Sequence, residues 1–206
     1  PFPLPCDASG KLTADALSPL REYYDRCGVL ALGPGLGRSE ELTRLVQAVL
    51  LRCRAPLVLD ADGINAVVGH IDVLRGCACP VVLTPHDGEF LRLGGDPKAD
   101  DRTREAMRLA SRSHTVVLLK GSRTVITDGL NTYVNHTGNP GLATGGSGDV
   151  LAGMIVSLLG QHIMPLEAAA AAVWLHGAAA DLAARELGEY GMVPEDLLLR
   201  IPRLLP

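Results

Sequence analysis

Four short stretches of the chain, residues 29–33, 57–60, 81–84 and 115–119, are apolar almost from end to end, and each runs into a glycine, aspartate, threonine or lysine. A strand with one wet face alternates apolar and polar residues. Unbroken apolar runs instead fit strands covered on both faces, as in a parallel sheet. Helical patterns separate the runs at residues 40–51, 63–68 and 102–112, the last with Ala106, Leu109 and Ala110 at helical spacing. Strand alternating with helix predicts an α/β fold with a mostly parallel central sheet and helices on both faces. After Lys120 the pattern changes. Residues 124–127 and 131–135 flank Asp128-Gly129, a dipeptide suited to positive-φ turns, and predict an antiparallel hairpin. Two apolar helices are expected over residues 148–159 and 165–187, with a short one after Pro194.

At 206 residues, with no internal repeat or linker, the chain reads as one domain spanning 1–206 that needs no covalent staple. A hydrophobic share of 47% against 20% charged argues against disorder, collagen-like repeats and coiled coils, and 3% aromatic residues weaken any base-stacking reading. The net charge is −4 and no lysine or arginine run occurs, so the footprint of a nucleic-acid binder is missing. Small anions would need locally placed donors. The longest apolar stretches, 150–160 and 168–175, fall short of the roughly 20 residues of a membrane span. A soluble, cytoplasmic protein is expected. Five cysteines form an odd set without metal-ligand spacing, and Cys77-Ala78-Cys79 lacks a second pair nearby, so reduced, structural thiols are expected. The chain opens Pro1-Phe2-Pro3 without methionine or a signal segment, which leads us to expect a fragment or a processed product.

In open parallel sheets ligands bind at the carboxyl ends of the strands. Gly33-Pro34-Gly35-Leu36-Gly37 follows the first run, Asp60-Ala61-Asp62 the second, Thr84-Pro85-His86-Asp87-Gly88-Glu89 the third and Lys120-Gly121 the fourth. Each is also ordinary turn chemistry, so their convergence on one edge is the stronger sign. The segment Asn139-Pro140-Gly141-Leu142-Ala143-Thr144-Gly145-Gly146-Ser147-Gly148-Asp149 is more specific. Three glycines in four residues let consecutive N–H groups converge on one anion, and the helix that follows adds the positive end of its dipole. No Gly-Lys-Ser/Thr closes the segment, so it is not a Walker A loop, and Gly33 to Gly37 does not meet the Gly-x-Gly-x-x-Gly pattern. Asp149 reads either as a helix-capping or first-turn carboxylate or as a base beside bound phosphate. Lysine occurs only at positions 11, 98 and 120, and Lys120, at a strand end, is placed to reach phosphate oxygens. His86 and Glu89 also fit structural roles, and His176 in its alanine-rich helix reads as packing. A nucleotide-using enzyme is the expectation.

Together these residues resemble the carbohydrate-kinase-related domain of the ribokinase-like fold, and within it the ADP- or ATP-dependent NAD(P)H-hydrate dehydratases. The resemblance runs from Val29 onward through the four strand-end motifs, Lys120-Gly121-x-x-Thr124 and the segment from Gly138 to Asp149. It implies a three-layer α/β/α architecture. It also implies repair of hydrated NADH and NADPH: a nucleotide phosphorylates the ring hydroxyl, and loss of phosphate restores NAD(P)H, with AMP formed from ADP. By position, Asp149 would deprotonate the hydroxyl, and Gly145, Gly146 and Gly148 would hold the transferring phosphate. Lys120, Gly121, Ser122, Arg123 and Thr124 would contact the adenine nucleotide. Gly35, His86, Asn139 and Asp149 would contact the hydrated dinucleotide. ADP or ATP and Mg2+ are the implied cofactors, with no assigned metal ligand, and a homo-oligomer is expected. The family's usual N-terminal strand region is absent before Pro1, so the domain is expected to be N-terminally truncated. Two other readings stand beside this one: a small-molecule kinase acting on heterocycles or vitamins, and a truncated, inactive nucleotide-binding module.

Overall fold

The computed structural model describes residues 2–205. Six strands form one sheet in sequence order: β1 (Leu30–Leu32), β2 (Leu57–Leu59), β3 (Val81–Leu83), β4 (Val116–Leu119), β5 (Val125–Thr127) and β6 (Thr132–Val134). β1 to β4 are parallel and in register, Leu30 beside Leu57 and Leu57 beside Val81, whereas β5 is antiparallel to both of its neighbours. Every residue of β2, β3, β4 and β5 is buried.

The unbroken apolar runs are explained by what each face meets. Leu57, Leu59, Leu83, Val117 and Leu119 point into a core with α2 (Glu40–Arg52) and α5 (Arg102–Ser113). Their neighbours Val58, Val82, Val116, Leu118 and Ile126 point the other way, against α6 (Ser147–Gly160) and α7 (Pro165–Leu187). Alternate side chains therefore feed two cores, and a polar residue on either face would lie dry. This is the three-layer arrangement expected from sequence.

The helices begin where local chemistry allows. Ser39 opens α2 by accepting the Leu42 N–H at 3.1 Å, with Glu40 and Glu41 in the first turn and Arg52 in the last, each favourable to the helix dipole. Replacing Ser39 with alanine should cost about 1 kcal/mol, read as a lower urea midpoint with an unchanged slope. Asp101 opens α5 in the same way, accepting from Arg104 at 2.9 Å.

Differences from the sequence reading are local. The expected helix at 63–68 is a single turn, α3 (Asp62–Asn65), followed by a 3-10 segment at Ile71–Gly76. Short helices at Leu17–Tyr24 and Asp87–Arg92 had no sequence counterpart; in order they are α1 and α4, and α8 is Pro194–Leu198. The hairpin forms where predicted, but its loop is four residues long and only Gly129 has positive φ, because the Asp128 carboxylate accepts the N–H groups of Leu130 and Asn131 at 2.8 and 2.7 Å. Burial pushes the Cys77 thiol up to about 11 and the Cys79 thiol up to about 12. Both stay protonated, which suits a structural role.

Candidate active site

The loops after β1 and β2 interlock at the carboxyl edge of the sheet. Gly33 has φ +141°, and a Cβ there would lie 1.7 Å from the Asp60 carbonyl oxygen. Only glycine lets the two chains approach so closely. Ala61, between two aspartates, holds φ +49° and ψ −119°, a conformation that costs energy for any L-residue and tends to survive at sites that use it. The Asp62 carboxylate then ties down the glycine-rich turn, accepting the Gly37 N–H at 2.9 Å and the Asn65 amide at 3.2 Å.

Three strand ends meet in one ion pair. The Lys120 ammonium, after β4, donates to Asp60 Oδ1 at 2.9 Å, and the Thr84 hydroxyl, after β3, donates to the same oxygen at 2.7 Å. Asp60 is only 3% exposed, so its charge is tolerable there because these donors replace water. A Cβ placed on Gly148 would stand 3.8 Å from the Lys120 Nζ and 4.0 Å from Asp60 Oδ2. The first turn of α6 thus lies directly against the pair.

That turn carries the glycine nest. Gly146 caps α6 in a left-handed conformation, φ +90°, and no side chain caps the helix. The N–H groups of Gly145, Gly146 and Gly148 meet no backbone acceptor among the described residues. Unpaired N–H groups, a helix dipole and a neighbouring ammonium make this position suited to a phosphate. Asp149 stands two residues into the helix with its carboxylate exposed. It makes no capping hydrogen bond, and as a first-turn carboxylate it also sits favourably at the positive end of the helix dipole.

Helix α7 holds the nest from beneath. Asp181 accepts the Gly138 N–H at 2.9 Å and the Asn139 side-chain amide at 3.0 Å, and Asn139 Oδ1 in turn accepts the Gly141 N–H at 3.1 Å. His176, 6% exposed, directs Nε2 at the Ser147 carbonyl oxygen, 3.1 Å away. A carbonyl only accepts, so this nitrogen carries the proton. Burial pushes the ring down from 6.5 to about 4, opposed by the bond to Ser147. The unfolded chain therefore binds a proton here that the folded chain refuses. This costs nothing above pH 6.5 and destabilises progressively as pH falls toward 4. Between those limits a His176→Gln variant should lose about 2–3 kcal/mol less stability than the parent in urea titrations run pH by pH.

The nucleotide segment expected from sequence is a loop fastened at its ends. The Lys120 N–H donates to the Pro85 carbonyl at 2.8 Å, Arg102 donates to the Lys120 carbonyl at 2.7 Å, and the Thr124 hydroxyl donates to the Gly121 carbonyl at 3.0 Å. Gly121, Ser122 and Arg123 between them are exposed. His86 has a definite local role: its Nδ1 accepts the Gly88 N–H at 2.9 Å while Glu89 accepts the His86 N–H at 2.9 Å, a reciprocal cap on α4. Its ring is still 57% exposed and so remains open to a ligand. Gly35 sits at φ +73° in open space. Among the described residues no hydrogen bond links Gly35 or His86 to the nest.

Sequence reasoning missed Asp60 as the partner of Lys120, Thr84 as a second donor to Asp60, and Asp181 and His176 as supports of the nest. Asp60 carried a signal, a carboxylate closing an apolar strand; the α7 residues carried none. A cavity of about 490 Å3 lies at the opposite end of the sheet, lined by Pro80, Val81, Thr115 and Val116 at the strand starts and by the hairpin turn. It contains none of the strand-end motifs.

A model of the NAD(P)H-hydrate dehydratase family matches residues 6–203. The bifunctional NAD(P)H-hydrate repair enzyme Nnr of Moorella thermoacetica is 48% identical over 98% of this chain and 39% of its own length. The chain therefore spans about two fifths of such curated relatives. Among solved structures, an ADP/ATP-dependent NAD(P)H-hydrate dehydratase from Bacillus subtilis, co-crystallised with ATP/Mg2+, superposes with a TM-score of 0.78 at 35% identity, covering 92% of this chain and 69% of that one. A ribokinase-like superfamily protein from Enterococcus faecalis gives 0.77 at 28% identity, covering 93% and 67%. The parallel sheet, the strand-end motifs and the glycine nest all lie within the matched span, and the chain belongs to the NAD(P)H-hydrate dehydratase family.

Proposed function

We propose that this chain repairs hydrated NADH and NADPH, spending ADP or ATP to remove the added water from the nicotinamide ring. The observation that carries the reading is an exposed carboxylate, Asp149, on the first turn of a helix whose unpaired N–H groups abut the Lys120–Asp60 ion pair. Hydroxide is a poor leaving group and phosphate a good one. Transfer of the terminal phosphoryl group to the ring hydroxyl breaks the bond to the nucleotide and forms the new P–O bond. Loss of phosphate from one ring carbon and of a proton from its neighbour then restores the double bond, with AMP as the by-product when ADP is the donor.

In this scheme Asp149 takes the hydroxyl proton as the oxygen attacks. The N–H groups of Gly145, Gly146 and Gly148 receive the charge that spreads over the phosphoryl oxygens. Lys120, kept in place by Asp60, reaches the same oxygens, and the exposed turn at 121–123 meets the rest of the nucleotide. Gly35, His86 and Asn139 border the hydrated dinucleotide. No three His, Cys, Asp or Glu side chains among the described residues group to hold a metal. Mg2+ would be carried on the nucleotide phosphates and would neutralise part of their charge. All five cysteines are free, which suits the reducing cytoplasm where we place the chain.

Incubation with hydrated NADH, Mg2+ and either ADP or ATP should bring back the absorbance of the reduced ring and release inorganic phosphate. A stable phosphorylated product without NADH would make the chain a small-molecule kinase instead. Nucleotide binding without any turnover would make it a binding module.

A further inference from the structure

Of the six histidines only His176 is buried, and it faces the underside of the site. From sequence alone it reads as packing. Packing alone does not call for an imidazole among alanines, since a buried polar ring costs free energy unless its nitrogens are bonded. Ala172, Ala179, Ala180 and Ala183 of the same helix are fully or almost fully buried and carry no polar side-chain atom. The bond that His176 makes is the informative part. Nε2 lies 3.1 Å from the carbonyl oxygen of Ser147 and 3.4 Å from its hydroxyl. Ser147 is the first residue of α6, between the nest glycines Gly146 and Gly148 and two residues before Asp149.

The same helix fastens the other flank of the loop. Asp181 holds Gly138 and Asn139, and Gly177 lies so close to Thr137 that a Cβ there would be 2.3 Å from the threonine hydroxyl oxygen. Loop 138–148 is therefore gripped by α7 at its entry, through Asp181, and at its exit, through His176. The ring stays neutral at physiological pH, so it brings no charge beneath the phosphate position.

We propose that His176 is a positioning residue for phosphoryl transfer: its Nε2–H bond to the Ser147 carbonyl sets the first turn of α6, and so aims the nest N–H groups and the Asp149 carboxylate at the reacting phosphoryl group. The inference rests on the phosphoryl-transfer reading of the nest. A misplacement of about 1 Å in such a site costs on the order of 100-fold in rate.

Three variants test it by what each donor can reach. Glutamine places its amide nitrogen near the position of Nε2, asparagine only near that of Nδ1, and leucine offers no donor. His176→Gln should keep the rate constant with ADP and hydrated NADH within about 3-fold of the parent, whereas His176→Asn and His176→Leu should lose about 10- to 100-fold, mostly in kcat rather than in the KM for hydrated NADH. Affinity for ADP with Mg2+, measured by calorimetry, should weaken in the same order. Equal rates in the folded glutamine and asparagine variants would overturn the proposal. So would loss of folding in the asparagine variant alone, or in both, since the bond would then serve the fold and not the site. If the parent chain binds ADP yet restores no NADH, it is the dehydratase reading that has failed, and the order of ADP affinities still decides the role of His176.

Discussion

Replacing Asp149 with asparagine should lower turnover of hydrated NADH by about 10²- to 10⁴-fold, the range contributed by a positioned general base, while ADP with Mg2+ binds as tightly as before or more tightly. The reasoning is electrostatic. A carboxylate beside a phosphate nest repels the anion that the nest holds, so ground-state binding gains nothing from it. Its value appears only when the attacking hydroxyl must lose a proton. Because the Asp149 side chain is exposed and makes no cap, asparagine removes the base and costs the helix only the favourable interaction of that charge with its dipole, about 0.3–1 kcal/mol. The two effects are read separately, the rate by recovery of the reduced ring and the affinity by calorimetry. Unchanged turnover in this variant would take Asp149 out of the mechanism.

Asp60→Ala should act on stability and on the nucleotide together. The substitution strands the Lys120 ammonium and deprives the Thr84 hydroxyl of its 2.7 Å partner. Removing one member of a buried pair typically costs about 3–5 kcal/mol. The Lys120 side chain keeps 23% of its surface in water, so the loss here should fall near 2–3 kcal/mol. Freed from its anchor, the lysine would also spend less time against the nest, and ADP affinity should drop. Adding Lys120→Met tells charge from shape: the double variant should regain most of the stability, since no charge is left stranded, and none of the nucleotide affinity. A double variant no more stable than Asp60→Ala would mean that the pair is not what stabilises these strand ends.

The parts of the fold that could be read early depend on contacts that every residue of an element makes alike. A strand buried on both faces is apolar throughout, and an Asp-Gly turn bends wherever it stands. β2, β3, β4 and the hairpin were legible for that reason. α4 was not, since its six residues carry no apolar period; it exists because His86 and Glu89 exchange caps. The hairpin loop also came out longer than expected, because one carboxylate, Asp128, collects two N–H groups.

The site divides along the same line. Sequence alone determined the glycine nest, its helix and the carboxylate after it, because N–H convergence and a helix start are properties of consecutive residues. Only the tertiary structure decided what surrounds them. Lys120 and Asp60 are 60 residues apart in the chain, His176 and Ser147 are 29 apart, and Asp181 lies 43 from Gly138. No local pattern encodes such pairs. They arise because a parallel sheet returns every strand to one edge, and because a buried polar group must find its partner in whatever element is packed against it.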